Sequence, residues 1–324
     1  MLVNSELIDT LLLLALPASG KSEIRRYLES VPPDVLATEC HLGPTIQLDD
    51  YPYVHLMRRI SQELRARGEP PHFFVSDDLP MDEPLDWGTL MILINEDYAA
   101  VGIGIGDEPD SPAEWLFDRI DRARVTVGAP PALATLRPEL RSGIAAALNA
   151  EAADLWRQIS ALGDADPTGA TIVIEFARGG PGGSDLPITP PFGYKYALGL
   201  LSPQVLGRAA ILYVQVTPEE SRRRNEDRGR PGREGDASIM HHGVPEAVMR
   251  GDYGMDDLLW LMSHGDGNEI VVSSAGRTYR LPTAVFDNRN DHTSFLRDDP
   301  QTWPPEKVTR LHRELADALS TLAR

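Results

Sequence analysis

Apolar positions change their rhythm twice along this chain. Short unbroken runs come first: residues 7–15, apolar apart from Asp9 and Thr10, and then Pro44–Thr45–Ile46–Gln47–Leu48. Runs of this length suit parallel strands covered on both faces. Between Val54 and Ala165 the pattern turns helical, with stretches at 53–66, 87–100, 113–124 and 139–162 separated by turns such as Gly68–Glu69–Pro70–Pro71 and Gly128–Ala129–Pro130–Pro131. Only residues 100–105 in that region have a strand-like pattern. Short apolar runs return at 170–180 and 209–216, followed by a predicted hairpin (269–273 and 277–281, about Ser274–Ala275–Gly276) and a last sheet strand at 283–286. Helices are predicted after Ser22 as far as Val31–Pro32–Pro33, from near Tyr194 to Leu201, after Thr217 as cap with Pro218 in the first turn, and from Pro304 to Leu322 with Thr302 as cap.

This alternation predicts an α/β fold, a three-layer domain around a central parallel sheet. Residues 1–53 and 166–324 would form the core. Residues 54–165 would be a mostly helical insertion between the second and third strand segments, and a lid would follow the fourth at about 218–265.

Composition narrows the function classes. A quarter of the residues are charged and 42% are hydrophobic, a globular balance. The formal net charge of −18 argues against broad nucleic-acid binding, which demands a basic surface. Cys40 is the only cysteine, excluding an intramolecular disulfide and a cysteine-based zinc site. The run at 11–16 is too short to span a membrane and Met1–Glu6 lacks a positive region, so the expected location is the cytoplasm. Lys21, Lys195 and Lys307 are the only lysines, which makes a lysine in a motif conspicuous.

That motif is Ala15–Leu16–Pro17–Ala18–Ser19–Gly20–Lys21–Ser22, which follows a predicted strand and opens a predicted helix. Backbone N–H groups of such a loop, together with the helix N-terminus, would face a polyphosphate; Lys21 would reach the outer phosphates and Ser22 would complete a Mg²⁺ shell. Ala15 replaces the usual first glycine, which requires that this position keep a negative φ.

Other candidates lie at strand ends, where ligands of open α/β sheets sit. Asp49 and Asp50 follow the second strand, and Glu175 and Arg178 end the third. For the Asp pair the alternative is capping of the helix that follows; for Glu175 it is an ion pair with Arg178. Arg222, Arg223, Arg224 and Arg228 lie on a helix leading into the Gly/Pro-rich segment through Arg233, either as a lid or as a solvated face balanced by Glu219, Glu220, Glu226 and Asp227. Arg58 and Arg59 would hold a substrate phosphate or form a solvated face. His241–His242 has no partner spacing for a metal, and Lys195, between Tyr194 and Tyr196, is a weak pocket candidate.

Together, Ala15–Ser22, Asp49–Asp50–Tyr51, Glu175 with Arg178, the Arg222–Arg233 segment and Phe286–Asp287–Asn288 resemble the P-loop small-molecule kinases, which include the nucleoside monophosphate kinases, uridine kinase and the deoxynucleoside kinases. The resemblance implies a P-loop NTPase fold and an ATP- and Mg²⁺-dependent kinase acting on a nucleoside, nucleotide or other small alcohol. It places ATP on Ala15, Pro17, Ala18, Ser19, Gly20, Lys21 and Ser22, with Asn288 contacting adenine or capping the loop, and Mg²⁺ on Ser22 and Asp49. Asp49 would accept the acceptor's proton, with Asp50 as fallback; Glu175 would organise Mg²⁺ or act as base; Lys21, Arg224 and Arg228 would meet the transferring phosphate; and Asp50, Arg58 and Arg178 would touch the acceptor. The insertion matches no branch of the group. Two other readings remain: an ATP-hydrolysing regulatory switch, and a polynucleotide or toxin-like kinase, whose nucleic-acid version the charge disfavours.

Overall fold

A computed structural model describes residues 7–228 and 243–323, the side chain of Arg228 excepted. The chain runs β1 (Thr10–Leu14), α1 (Lys21–Ser30), α2 (Pro33–Glu39), β2 (Thr45–Asp49), then four helices, α3 (Tyr51–Ala66), α4 (Asp86–Ala100), α5 (Pro112–Thr126) and α6 (Pro138–Gly163). It continues through β3 (Thr171–Phe176), α7 (Gly193–Leu200), α8 (Pro203–Leu206), β4 (Ala209–Gln215) and α9 (Pro218–Arg228). After residue 242 come α10 (Glu246–Gly251), α11 (Leu258–Ser263), β5 (Glu269–Ser274), β6 (Arg277–Asp287) and α12 (Pro305–Ser320).

The strands form one sheet in the order β2-β3-β1-β4-β6-β5, parallel except for the edge strand β5. Period-two alternation of β1 divides its leucines between two cores. Leu12 and Leu14 join α4, α7, α8 and α11 on one face, while Leu11 and Leu13 join α1, α2 and α12 on the other. Both faces are covered, which explains the unbroken apolar run. The chain leaves β1 toward β2 at one edge and leaves β4 toward β6 at the other, so the connections diverge beside β1 and open a crevice at the strands' carboxyl ends.

Helices α3–α6 bury a core of their own, including Met57, Leu93, Phe117 and Leu148. A buried polar network fixes α3 within this bundle: Tyr53 donates to Asp97 at 2.5 Å, and Arg119 donates to Asp97 at 2.8 Å and to Tyr53 Oη at 3.1 Å. The N-terminus of α3, directly after Asp50, is thereby held in place.

Four local expectations change. Residues 101–105 form no strand, because Gly102 and Gly104 take φ of 72° and 87°. The short helix α2 intervenes before β2. The predicted hairpin and last strand are one sheet edge, since β6 runs on from β5 to pair with β4. Thr302 does not cap α12; its hydroxyl donates to Asp299, and Pro304 is the N-cap. Thr217 does cap α9, accepting from the Glu220 N–H at 3.1 Å. Among the described residues no helix is long and apolar enough to cross a membrane.

Candidate functional site

Residues 15–20 connect β1 to α1, and their carbonyls are tied to the protein behind them. Ala15 O accepts from Tyr194 Oη at 3.0 Å and Lys21 Nζ at 3.1 Å, Pro17 O from Ser221 Oγ at 2.7 Å, and Ser19 O from Asn288 Nδ2 at 2.6 Å and Arg224 at 3.4 Å. A loop whose acceptors are drawn onto protein donors suits an anion on its other side. That side faces a cleft of about 740 Å³ lined by Pro17, Ala18, Ser19, Lys21 and Ser22. No side chain caps the N-terminus of α1, and the buried Ser19 hydroxyl has no partner among the described residues. Donors at an uncapped helix start fit a polyphosphate.

The left-handed residues here are Ala18 and Gly20, at φ 54° and 105°; Ala15 is not among the positive-φ residues, as its side chain requires. At Gly20 space is decisive too. A Cβ would lie 2.4 Å from Thr293 Oγ1 and 2.6 Å from Asn288 Nδ2. Gly20→Ala is therefore expected to destabilise the fold by about 2 kcal/mol or more, read as a lower urea midpoint; an unchanged midpoint would contradict this loop geometry.

Across the cleft, Asp49 and Glu175 are register partners at the ends of β2 and β3, so their side chains leave the sheet on one face. Arg25 stands between them, 3.3 Å from Glu175 and 3.9 Å from Asp49. Burial, reinforced by Glu175 and then Asp50, pushes the Asp49 carboxyl up to about 7 against the opposing pull of Arg25 and the Tyr51 N–H. A quarter of that side chain still opens to the cleft. Arg25 was not singled out from the sequence. Its spacing of four from Lys21 on α1, which puts both on one helix face, is the signal that could have found it.

Asp50 is the N-cap residue of α3 but makes no side-chain cap; it accepts from Arg178 at 2.6 Å. Arg178 is almost fully buried, lies over the rings of Trp87 and Phe176, and does not line the cleft. It reaches acceptor space only through Asp50, and Glu175 pairs with Arg25 rather than with it. Arg58 does line the cleft, donating to the Asp77 carbonyl at 2.7 Å with its guanidinium over Phe74. Arg59 is bound up with Glu151 and Glu63 on the outside of the bundle.

The arginine helix lies differently from the expected lid. Arg222 pairs with Glu219, and Arg223 with Glu220 and Asp227. Arg224 is 2% exposed behind the loop, held by Glu220 and donating to the carbonyls of Ser19 and Asn288. It braces the loop instead of facing the cleft. Asn288 does likewise, its side chain shared among Ser19 O, Thr293 and the His292 N–H. The Arg228 side chain, Arg230, Arg233 and His241–His242 lie outside the described residues. Lys195 is exposed and not part of the cleft wall.

No protein family, curated protein or solved structure matches the chain. The site is therefore argued from its own geometry. Among the described residues no group of three or more His, Cys, Asp or Glu converges on a metal position. Mg²⁺ does not require one, since it is commonly held by one or two carboxylates, a hydroxyl, water and substrate phosphates. Ser22, Asp49 and Glu175 all line the cleft and offer such a set. Asp252, Tyr253 and Trp87 complete the wall, and no motif announced them.

Proposed function

We propose that this chain is a phosphotransferase of the P-loop kinase type, moving the γ-phosphoryl group of Mg·ATP to a hydroxyl of a small molecule. What carries the reading is the opening of an anion-suited loop and a strand-end carboxylate pair onto one cleft. Bound Mg·ATP would supply the phosphoryl group, with its phosphates on residues 15–22 and its metal on Ser22 and Glu175, which leaves Asp49 for the proton.

The chain's own work is then charge neutralisation, positioning and proton removal. Lys21, held at the Ala15 carbonyl, swings to the outer phosphates. Asp49 Oδ2 takes the acceptor's proton, a task suited to a carboxyl whose affinity for protons is poised near neutrality. Arg25 keeps the Asp49–Glu175 pair from repelling itself apart. Asp50, clamped by Arg178, fixes the start of α3 and hence the backbone that orients Asp49. The reading also accounts for the helical insertion, which roofs the acceptor end of the cleft with Phe74 and Trp87.

The test is ADP release from Mg·ATP over nucleosides, nucleoside monophosphates, sugars and amino alcohols. One acceptor class is expected to raise release at least ~10²-fold above the water background, the lower end of the range for general-base assistance. Nucleotide binding with no acceptor response would instead favour the regulatory switch.

A further inference from the structure

One carboxylate in the cleft wall has no role in moving a phosphoryl group. Asp252, which ends α10, is 4% exposed, lines the cleft, and has no hydrogen-bond partner at Oδ2 among the described residues. A buried carboxylate oxygen left unpaired is costly, so its position at a ligand-sized opening asks for a donor that the described residues do not supply. The other acids of the wall are engaged. Asp49 and Glu175 face Arg25, Asp50 holds Arg178, and Asp77 accepts from Arg65 at 2.7 Å.

The surroundings narrow the donor's chemistry. Trp87 and Tyr253 meet edge to face at 5.6 Å beside Asp252, giving an apolar wall for a carbon frame. Arg58 is turned to the Asp77 carbonyl and to the Phe74 ring rather than to Asp252. With Asp77 and Asp252 around it, that arginine leaves no net positive charge for a second phosphate, which disfavours a phosphorylated acceptor. Burial raises the Asp252 carboxyl to about 7 against the weaker pulls of the Met81 N–H and of Arg58.

Resting on the phosphotransferase reading, we propose that the acceptor is an amine-bearing alcohol, its nitrogen donating to Asp252 Oδ2 and its carbon frame lying against Trp87 and Tyr253. The amine selects the molecule; its hydroxyl is presented to Asp49.

Calorimetric titration without nucleotide tests the pocket separately from the reaction, using matched probes: glucosamine against glucose, and ethanolamine against ethylene glycol. In at least one pair the amine is expected to bind ~10-fold or more tightly than its neutral partner, the equivalent of one charge-assisted hydrogen bond. Asp252→Asn should erase that difference. Because this variant removes a buried charge, it should unfold no earlier than the parent, which separates loss of recognition from loss of fold. Equal affinity within each pair, no binding by either amine, or a preference surviving Asp252→Asn would each overturn the proposal. Amine binding with no ADP release would keep the pocket and reject phosphoryl transfer; ADP release driven only by neutral alcohols would do the reverse.

Discussion

Lys21→Ala is expected to lower turnover by about 10²–10³-fold, the range for removing one preorganised donor to developing charge, and to weaken nucleotide binding in parallel. The fold should survive the change. Lys21 is buried, and the Ala15 carbonyl it holds also receives Tyr194 Oη at 3.0 Å, so that carbonyl is not orphaned; the Asp256 carboxyl, which burial pushes up and Lys21 pulls down, can take up a proton once that cation is gone. Alanine also suits the first turn of α1 better than lysine near the positive end of the helix dipole. The variant's urea midpoint should therefore stay close to the parent's while activity collapses. Measuring both decides the matter: unchanged nucleotide affinity and turnover would remove the loop from the chemistry and the phosphotransferase proposal with it.

Why the core was legible while parts of the site were not follows from where each constraint originates. Leu11–Leu14 read as a central strand because a strand buried on both faces has no polar positions to alternate, and Gly20–Lys21–Ser22 followed within loop distance. Helices α3–α6 were legible because each must turn an apolar stripe to the shared core, and their predicted bounds fall within two residues of those seen. Residues 100–105 misled because Val101, Ile103 and Ile105 alternate like a strand, whereas the glycines between them serve left-handed turns.

The side chains of the site are tertiary facts. Charge pattern along α9 makes Arg222, Arg223 and Arg224 look equivalent; which one is covered depends on the Ser19 and Asn288 carbonyls, more than 60 residues distant in the chain in either direction. Asp252 and Trp87 meet only because α10 and α4 converge on one cleft, and no spacing between them encodes that. Asp49 and Glu175 stand between these cases. Each was visible as a strand end, but their pairing across adjacent strands required the β2–β3 register.

Asp49→Asn is expected to produce two opposite effects. Activity should fall about 10²–10⁴-fold, the usual contribution of a positioned general base, because the amide cannot take a proton. In the parent, kcat/KM should rise with pH through a midpoint near 7, where the free protein's Asp49 loses its proton, and this rise should vanish in the variant. Stability should move the other way. A carboxyl held at about 7 in the fold and near ~3.9 when unfolded favours the folded state fully only below the lower value. That stability is lost progressively as pH rises through 7, because the unfolded chain releases its proton first. Asparagine resembles the protonated carboxyl and still offers Oδ1 to the Tyr51 N–H, the 3.0 Å bond that turns the chain into α3. With a quarter of the side chain open to solvent, the full linkage energy must be discounted to about 1–2 kcal/mol. The variant should accordingly match the parent near pH 4 and unfold a few degrees later at pH 8. If activity fell but stability at pH 8 fell with it, Asp49 would be a structural ion-pair partner of Arg25, and the proton acceptor would have to be sought at Glu175.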